Sequence, residues 1–443
     1  MTPATPGADQ RIVAARLLRY RLPLASPWLC AAGGFTQREG WLLRLTLSDG
    51  RQGYGECAPL AGTPGESPLA ACRQLKRLCR QLPGQTPSTV WQTLRALAPA
   101  ANHPAPPSLV GRLAPTVRAA LESAILDLWS QQRSESLRAA LPTLAGTEGS
   151  ATAPPVVKPA CADSVRVNAT LGALARFSDA ALADALNAAA NEGFGIVKLK
   201  VGVAAVDSEI DTLRRAVQAM DGTLTLRLDA NGAWNEEEAT RFIDACVGLP
   251  VDSLEEPLAL PATLCAPPRR GSVQRQHALG TYLEALTRLQ ARSPFPLAFD
   301  ESWPIIANLR QWGRPADGSN IDDPSGLALP LRRLVIKPPR QGGLLPSLLL
   351  ARHVLAQGLE VVVTSSIDSS CGILAAAQLA ACIDAEQPAH LPHCAPPTHG
   401  LATARWLASD TGESATVAHG RLHLPTSVGL GFTPWPALAA SFT

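Results

Sequence analysis

Short apolar segments alternate with helix-like segments downstream of residue 164, and this alternation restricts the fold more than any other feature of the sequence. Gly193 ends the first helix-like segment, and further helices are predicted over 206–220 and 235–247. Parallel strands joined by helices form βαβ units, and eight such units close into a barrel. The sequence therefore predicts an α/β fold with a (β/α)₈ barrel over residues 161–414. The predicted strands are 165–170, 196–201, 224–229, 252–257, 296–302, 333–338 and 359–366, with a short last candidate near 388–391.

The first third of the chain is organised differently. Residues 11–60 contain segments typical of strands and turns, whereas 66–141 carry apolar residues three and four positions apart, as amphipathic helices do. The Pro-, Ala- and Gly-rich stretch 143–163 is typical of a linker or an insertion. We therefore predict a separate α+β domain over residues 1–160.

Charged or hydroxyl side chains end most of the predicted barrel strands. Along the chain these are Lys198 and Lys200, Asp229, Glu255, Asp300, Lys337, and the cluster Thr364, Ser365 and Ser366. The carboxyl ends of all barrel strands meet at one rim, so these side chains are predicted to share one site. Two of the intervals exceed the ~31 residues of one unit in a ~250-residue barrel. Both contain Pro-rich runs, which predict insertions near 261–290 and 313–330.

Lysine is rare in this chain, which makes its positions informative. Only five of the 39 basic residues are lysines, and Lys198, Lys200 and Lys337 lie in strand-like apolar runs. Arginine stays protonated in proteins, whereas a desolvated lysine can act as a base. Lys198 and Lys200 point to the same side of their strand, and their repulsion is expected to lower one pKa from ~10.4 towards ~7–8. The simpler alternative is that these lysines lie at strand ends and extend into solvent.

Three carboxylates from neighbouring strands, Asp229, Glu255 and Asp300, form a hard oxygen site suited to Mg²⁺, with Mn²⁺ as a second candidate. A metal ion flanked by lysines suits removal of a proton α to a carboxylate, because the ion stabilises the two negative oxygens that result. Taken singly, D-A-N-G (229–232) is also a good turn sequence, and L-E-E-P and D-E-S are also common at solvated strand ends. Their order and spacing favour the site.

The motifs K-x-K, D-A-N, E-E-P, D-E-S and I-K-P occur in the order found in the enolase superfamily, and the chain resembles its muconate-lactonising-enzyme-like branch. This resemblance implies that the N-terminal domain caps the barrel mouth, and we expect the tail from about 415 to 443 to pack back on it. Segments 53–62, 226–231, 299–302 and 364–373 are most similar to the o-succinylbenzoate synthase family. Asp368 stands where that family typically has glutamate.

The resemblance implies a role for each site residue. Asp229, Glu255 and Asp300 would bind Mg²⁺, and Glu255 is preferred to Glu256 because the family ligand lies two residues before the proline. Lys200 would remove the proton and then protonate the departing hydroxyl, Lys337 would stabilise the enediolate, and Lys198 would tune Lys200. Arg227 and Asn231 are expected either to support the site residues from behind or to orient the substrate. Thr364 and Ser365 would contact the succinyl side of the substrate, helped by backbone N–H groups of a loop leading into a helix.

The implied activity is a lyase reaction of menaquinone biosynthesis, the syn-elimination of water from a hydroxycyclohexadiene carboxylate. The nearest alternative is an N-acylamino acid racemase or dipeptide epimerase with the same lysines and metal. Dipeptide epimerases usually carry D-x-D at the end of the eighth strand, and 390–400 contains no such pair. A third alternative is a barrel that binds a carboxylate without catalysis, against which the intact lysines and carboxylates argue.

Composition excludes several other classes. The formal net charge is +2 and no basic block with interleaved aromatic residues occurs, so a nucleic acid partner is not expected. Neither a signal-peptide core nor an apolar run of ~20 residues is present, so we expect a cytoplasmic protein without a membrane span. The ten cysteines lack C-x-x-C spacing, which argues against a zinc site or a disulfide framework. The sequence leaves the oligomeric state open.

Overall fold

A computed structural model describes residues 10–30, 33–60, 66–96, 113–146, 161–220, 222, 224–265, 273–312 and 329–442. The chain begins with a three-stranded antiparallel sheet in the order β1 (Ile12–Cys30), β2 (Gly33–Leu47) and β3 (Gln52–Cys57). Four helices follow: α1 (Pro68–Gln81), α2 (Pro87–Ala96), α3 (Pro115–Gln132) and α4 (Leu137–Gly146). The predicted linker therefore begins later than expected, and 147–160 lie outside the described residues.

Helix α3 packs on the sheet through close backbone contact at β3. A Cβ atom added at Gly55 would lie 1.9 Å from the carbonyl oxygen of Ala120, so only glycine allows this approach. Leu43, Leu45 and Leu121 are fully buried in the core between the sheet and the helices. The α+β character predicted for this region is thus present in the structure.

The second part of the chain forms a curled parallel sheet of seven strands, in chain order, covered by helices. Its strands are β5 (Ala169–Ala173), β6 (Ile196–Lys200), β7 (Thr225–Asp229), β8 (Val251–Glu255), β9 (Leu297–Phe299), β10 (Arg333–Ile336) and β11 (Glu360–Val363). Its helices are α5 (Asp179–Asn191), α6 (Val206–Gln218), α7 (Glu236–Ala245), α8 (Ala262–Cys265), α9 (Val273–Arg292), α10 (Trp303–Trp312), α11 (Pro338–Gln341), α12 (Leu344–Ala356) and α13 (Ser370–His390). The predicted α/β barrel-type fold is confirmed.

The predicted eighth strand near 388–391 is wrong. The alanine-rich sequence before it favours helix, and α13 continues through Pro388 to His390. Between β11 and the start of the barrel, His399 and Gly400 form single parallel bridges to Val167 and Thr364. Residues 399–400 therefore occupy the position at which an eighth strand would close the barrel.

Two other boundaries differ from the prediction. The predicted strand 165–170 belongs to two different sheets. Its first part lies in β4 (Ser164–Arg166), which forms a small antiparallel sheet with β13 (Arg421–His423) and β12 (Val417–Ala418). Only the residues from Ala169 onward join the barrel sheet. Of the expected insertions, 266–272 and 313–328 lie outside the described residues, whereas the rest of the first is mostly helix α9.

The C-terminal segment contacts the N-terminal sheet. The rings of Phe432 and Phe442 lie 5.5 Å and 6.1 Å from that of Tyr54, edge to face, and a last short helix, α14 (Pro436–Ala439), lies between them in the sequence. The division of the chain at residue 160 stays a prediction. No helix in the described ranges is long and apolar enough to cross a membrane.

Candidate active site

Strand register brings the predicted site together at the carboxyl end of the sheet. Lys200, Asp229 and Glu255 are the last residues of β6, β7 and β8, and each is aligned with the next across the parallel ladder. Asp300 follows β9 directly, and Lys337 follows β10. Lys198 lies two positions before Lys200 and shares its face.

Three buried carboxylates form the centre of this group. Asp229, Glu255 and Asp300 each offer an oxygen atom, and these atoms lie within 4.8 Å of one another. The Nζ atom of Lys198 lies 2.9 Å from Oδ2 of Asp229 and 2.5 Å from Oε2 of Glu255. Oxygen ligands at this separation can all reach one divalent ion at ~2.0–2.6 Å, so the donor set fits Mg²⁺.

The other two lysines stand at different sides of the carboxylates. Lys200 Nζ donates to Oδ2 of Asp229 at 2.6 Å and to Oδ1 of Asn231 at 2.8 Å. Lys337 Nζ donates to Oδ2 of Asp300 at 2.7 Å and to Oε1 of Glu301 at 2.6 Å. Both side chains are largely buried, which excludes the alternative that they extend into solvent.

Two polar residues connect these lysines. Asn231 Nδ2 lies 3.5 Å from Oε2 of Glu301, so the path from Lys200 to Lys337 passes through Asn231 and Glu301. Asn231 has a left-handed backbone with φ of +47°, which turns its side chain back over the site. Glu301 was not singled out from the sequence, although it is the central residue of the D-E-S motif.

Burial and crowding shift the pKa values of the acids in different directions. Burial and the neighbouring Glu301 raise the pKa of Asp300 to about 7. Burial alone would also raise the pKa of Asp229, but Lys198 and Lys200 hold it well below its usual range. Burial would also raise the pKa of Glu301, but the positive charge of Lys337 has the larger effect and lowers that pKa to about 2. A cation bound beside Asp300 would oppose the increase in its pKa and favour the ionised carboxylate.

Lys198 is not the lysine of this pair whose pKa is lowered. Burial lowers its pKa, but Asp229 and Glu255 outweigh that effect and raise the pKa above its usual range. Lys198 is therefore held as a cation between two carboxylates. With Asp229, Glu255, Asp300 and Glu301 ionised against three lysines, the group carries one net negative charge. A divalent ion would make it positive and suited to an anionic substrate.

Glu256 serves the loop after β9 instead of the carboxylate centre. Its Oε1 accepts hydrogen bonds from the backbone N–H of Asp300 at 2.5 Å and of Ser302 at 3.0 Å. Burial and Glu301 raise its pKa to about 8. Its φ of +45° turns its side chain away from the direction taken by Glu255. This geometry agrees with the preference for Glu255 as the metal ligand.

Arg227 lies elsewhere, and the structure does not support a substrate-orienting role for it. It precedes Asp229 by two residues and so lies ~6.6 Å deeper along β7. Its Nε donates to Oδ2 of Asp252 at 2.9 Å, and its Nη1 donates to the carbonyl oxygen of Thr398 at 2.8 Å. Arg227 therefore belongs to the amino-terminal end of the barrel.

The hydroxyl cluster after β11 is bonded within the protein. Thr364 Oγ1 donates to the carbonyl oxygen of Gly400 at 3.0 Å, and Ser365 Oγ lies 2.5 Å from Oγ1 of Thr403. Both side chains thus connect β11 to the closing segment, and their contact with substrate stays a prediction.

The helix-entry N–H groups that were expected to help bind substrate already have acceptors. Ser369 N and Gly372 N, at the start of α13, donate to Glu56 from the N-terminal domain at 3.0 Å and 2.7 Å. Asp368 instead lies 3.5 Å from the guanidinium of Arg38, also from that domain. These contacts connect the two parts of the molecule and leave the helix entry without free donors at Ser369 and Gly372.

The N-terminal domain also reaches the lysine site. The ring centroid of Trp28 lies 5.6 Å from Lys200 Nζ, and its edge contacts Trp406 at 4.8 Å between centroids. A cation over an indole face is stabilised by the ring electrons. No sequence signal could have placed Trp28 here, because it lies on β1, far from Lys200 along the chain.

Comparisons with known proteins agree with this fold. Residues 180–265 match the family model described as "Enolase C-terminal domain-like", and residues 12–94 match "MenC, N-terminal domain". A solved dipeptide epimerase from Cytophaga hutchinsonii, complexed with Mg and a dipeptide, has a TM-score of 0.72 at 19% identity over 98% of both chains. The chain is therefore similar to enolase-superfamily proteins over these two segments, and its fold is similar to that of the solved epimerase.

Relatives with curated names divide among several reactions. The chain is 28% identical to Protein PHYLLO, chloroplastic, from Arabidopsis thaliana over 88% of this chain and 21% of that protein. It is 31% identical to a hydrophobic dipeptide epimerase from Citrifermentans bemidjiense over 54% of this chain and 58% of that one. It is 27% identical to an o-succinylbenzoate synthase from Thermosynechococcus vestitus over 71% and 78%. The chain thus spans about a fifth of the length of the Arabidopsis protein and somewhat over half of the length of the Citrifermentans epimerase.

Proposed function

We propose that this enzyme is a Mg²⁺-dependent dehydratase of the o-succinylbenzoate synthase type, acting in menaquinone biosynthesis on a hydroxycyclohexadiene carboxylate. One observation carries the choice between this reaction and dipeptide epimerisation. The closing segment at Gly400 is followed by L-A-T-A-R-W-L-A-S, without an acid to hold a substrate ammonium group. The next acid, Asp410, accepts hydrogen bonds from Ser370 and Ser414. The match of residues 12–94 to the MenC N-terminal domain adds support.

The metal would be held by Asp229, Glu255 and Asp300, whose oxygens lie within 4.8 Å of one another. When bound, Mg²⁺ supplies positive charge that stabilises the negative oxygens developing on a substrate carboxylate. Lys198 stays between Asp229 and Glu255, where it limits their repulsion and fixes their orientation.

Lys200 is proposed as the base. Its Nζ is held by Asp229 and Asn231, which aim it at one face of the substrate. It removes the proton α to the carboxylate, and the same ammonium then protonates the hydroxyl that leaves from that face. One group can perform both steps because the elimination is syn. The proton taken from carbon therefore leaves with the hydroxyl as water, and Lys200 returns to its starting state.

Lys337 is proposed to remain a cation throughout. Two carboxylates, Asp300 and Glu301, contact its Nζ, and burial is outweighed so that its pKa lies above its usual range. A lysine in this environment is a poor proton acceptor and a good source of fixed positive charge opposite Lys200. Thr364 and Ser365 remain the proposed contacts for the succinyl side of the substrate.

A racemase or epimerase is the second candidate, and a specific observation favours it. Lys200 and Lys337 approach the carboxylates from different strands, an arrangement that suits two bases acting on opposite faces of a substrate. Proteins named as dipeptide epimerase and N-succinyl-L-Arg/Lys racemase are among the relatives. In that reaction one lysine would remove the α-proton and the other would return a proton to the opposite face.

The test is a direct comparison of the two reactions with the purified enzyme and Mg²⁺. We expect the hydroxycyclohexadiene carboxylate to be converted to its aromatic product, followed by absorbance. In parallel, N-succinylamino acids and dipeptides are incubated in D₂O, and deuterium at the α-carbon is followed by NMR. If the kcat/KM for α-proton exchange in an N-succinylamino acid or a dipeptide exceeds the kcat/KM for dehydration, the assignment is reversed.

A further inference from the structure

A cavity lies at the opposite end of the barrel from the lysine site. Its volume is about 670 Å³, within the ~300–1,000 Å³ of small-molecule sites. Its lining includes Ile196 and Arg333, which begin β6 and β10, and Asp252 near the start of β8. Since strands begin at this rim and the catalytic groups lie where strands end, the cavity is separate from the proposed active site.

Positive charge predominates in this cavity. Arg166, Arg227, Arg333 and Arg421 line it, whereas Asp252 and Glu360 are its acids. Four guanidinium groups against two carboxylates leave a net charge of +2 within the described lining. The acids are used by the two buried arginines: Asp252 contacts both Arg227 and Arg333, and Glu360 contacts Arg333. The charges of Arg166 and Arg421 are therefore not compensated.

These two arginines face each other directly. Arg166 on β4 and Arg421 on β13 are register partners in an antiparallel ladder. Directly opposed side chains have Cβ atoms ~4.5–5.5 Å apart, and like charges there are destabilising. Arg421 donates to Oγ of Ser164 at 2.9 Å and to its carbonyl oxygen at 3.0 Å, which are neutral acceptors. In the described part of the chain neither arginine has a carboxylate partner.

The hairpin that carries Arg421 is fixed in place. His419 and Gly420, its two turn residues, have φ of +49° and +65°, as a type I′ turn requires. A Cβ atom at Gly420 would lie 2.4 Å from the carbonyl oxygen of Gly193, and one at Gly193 would lie 2.8 Å from Cα of His419. The turn therefore packs tightly on the end of α5, and it holds Arg421 at the cavity, where its described partners are the neutral oxygens of Ser164.

We propose that this cavity is a binding site for a small phosphate-type dianion, a free phosphate or the phosphate group of a metabolite. A dianion would balance the net charge of +2 and relieve the repulsion between Arg166 and Arg421. Guanidinium groups bind phosphate oxygens bidentately, which suits two arginines on adjacent strands. The free Nη2 of the buried Arg227, which has no hydrogen bond in the described residues, adds a donor from the cavity wall. The site is independent of the reaction proposed above.

The probe is inorganic phosphate, titrated by calorimetry into the Mg²⁺-loaded enzyme in chloride buffer. Wild type is expected to bind one phosphate saturably, and Arg166→Gln and Arg421→Gln are each expected to weaken binding by about tenfold or more, as for the loss of a charge-assisted hydrogen bond. Arg73→Gln is the control, because Arg73 is an exposed arginine on α1. All three variants should keep wild-type turnover, since none contacts the lysine site.

A second measurement distinguishes a binding site from a surface charge. Phosphate should raise the unfolding temperature of wild type and of Arg73→Gln equally, and that of Arg166→Gln by clearly less. Without phosphate, Arg166→Gln should unfold no earlier than wild type, because its change removes a repulsion. Titration with glucose 6-phosphate distinguishes free phosphate from a phosphate ester as the ligand. If glucose 6-phosphate binds more tightly than inorganic phosphate, the site accepts the phosphate group of a metabolite. If it binds more weakly, the site accepts free phosphate. The proposal would be overturned if wild type and Arg166→Gln bound phosphate equally, or if wild type bound none at about 10 mM. It would also be overturned if, among the variants, only Lys337→Met lost phosphate binding, because phosphate would then bind at the lysine site.

Discussion

Replacing Asp252 by asparagine should destabilise the barrel, because this carboxylate is shared by two buried arginines. Asp252 Oδ2 lies 2.9 Å from Arg227 Nε and 2.5 Å from Arg333 Nη1. Arg333 keeps Glu360 as a partner after the change, at 2.5 Å. Arg227 keeps only neutral acceptors, Asn168 and the carbonyl of Thr398. The variant therefore leaves one buried cation without a counter-charge instead of two.

Breaking a buried ion pair by removing one partner costs ~3–5 kcal/mol. The lower end applies here, since Arg227 retains two neutral acceptors, so we expect a loss of ~3 kcal/mol in the free energy of unfolding. The assay is urea denaturation at pH 7, compared with Asp207→Asn. Asp207 is exposed and lies 3.4 Å from Arg241, so its change should cost less than ~1 kcal/mol.

The same carboxylate gives a dependence on pH. Although burial alone would raise it, Arg227 and Arg333 hold the pKa of Asp252 far below its usual 3.8. A lowered pKa in the folded state means that the stabilisation is present above pH 3.8 and is lost as the pH falls below it. A loss below ~1 kcal/mol for Asp252→Asn at pH 7, equal to that of the control, would refute the claim that Asp252 neutralises Arg227 and Arg333.

Further predictions concern the metal, a buried carboxyl group and two glycines. Removal of Mg²⁺ with EDTA should abolish turnover and leave the far-ultraviolet circular dichroism unchanged, and activity that survives dialysis against EDTA would contradict the metal site. Burial raises the pKa of Glu122 to about 7 from 4.5, so its contribution to stability is full below pH 4.5 and is lost as the pH rises through 7. The free energy of unfolding, measured by urea denaturation, should therefore differ less between pH 5 and pH 8 for Glu122→Gln than for wild type. The two differences should be at most about 3 kcal/mol apart. Gly55→Ala should lower the free energy of unfolding by more than ~2 kcal/mol, because the new Cβ would overlap Ala120. Gly280→Ala, in helix α9 with open space around it, should raise the free energy of unfolding by ~1 kcal/mol. Similar effects of the two changes in thermal unfolding would contradict the packing of α3 on β3.

The rim of the barrel was predictable because strand geometry repeats. Charged residues end most of the predicted strands, and the period of two with a parallel arrangement is enough to bring them together. Asp229, Glu255 and Asp300 do meet. The lysines could be located in the same way, since a lysine in an apolar strand must have a buried partner.

What failed depended on contacts between distant segments. The closing position at His399 and Gly400 has no strand-like sequence, and only its bridges to Val167 and Thr364 reveal it. The role of Arg227 depends on Asp252, whose position on the next strand gives no sign that the two side chains pair. The contact between Trp28 and Lys200 joins the two parts of the molecule, and local sequence carries no information about it.

The central claim is that Lys200 transfers the proton while Lys337 only contributes charge. The decisive measurement is the kcat of Lys200→Arg and Lys337→Arg for dehydration, with folding checked by circular dichroism. Arginine keeps the charge but cannot act as a base. Lys200→Arg should therefore lose ~10²–10⁴-fold, the usual contribution of general-base catalysis, whereas Lys337→Arg should retain clearly more activity. Equally large losses would indicate a two-base racemase, and equally mild losses would contradict the assignment of the site.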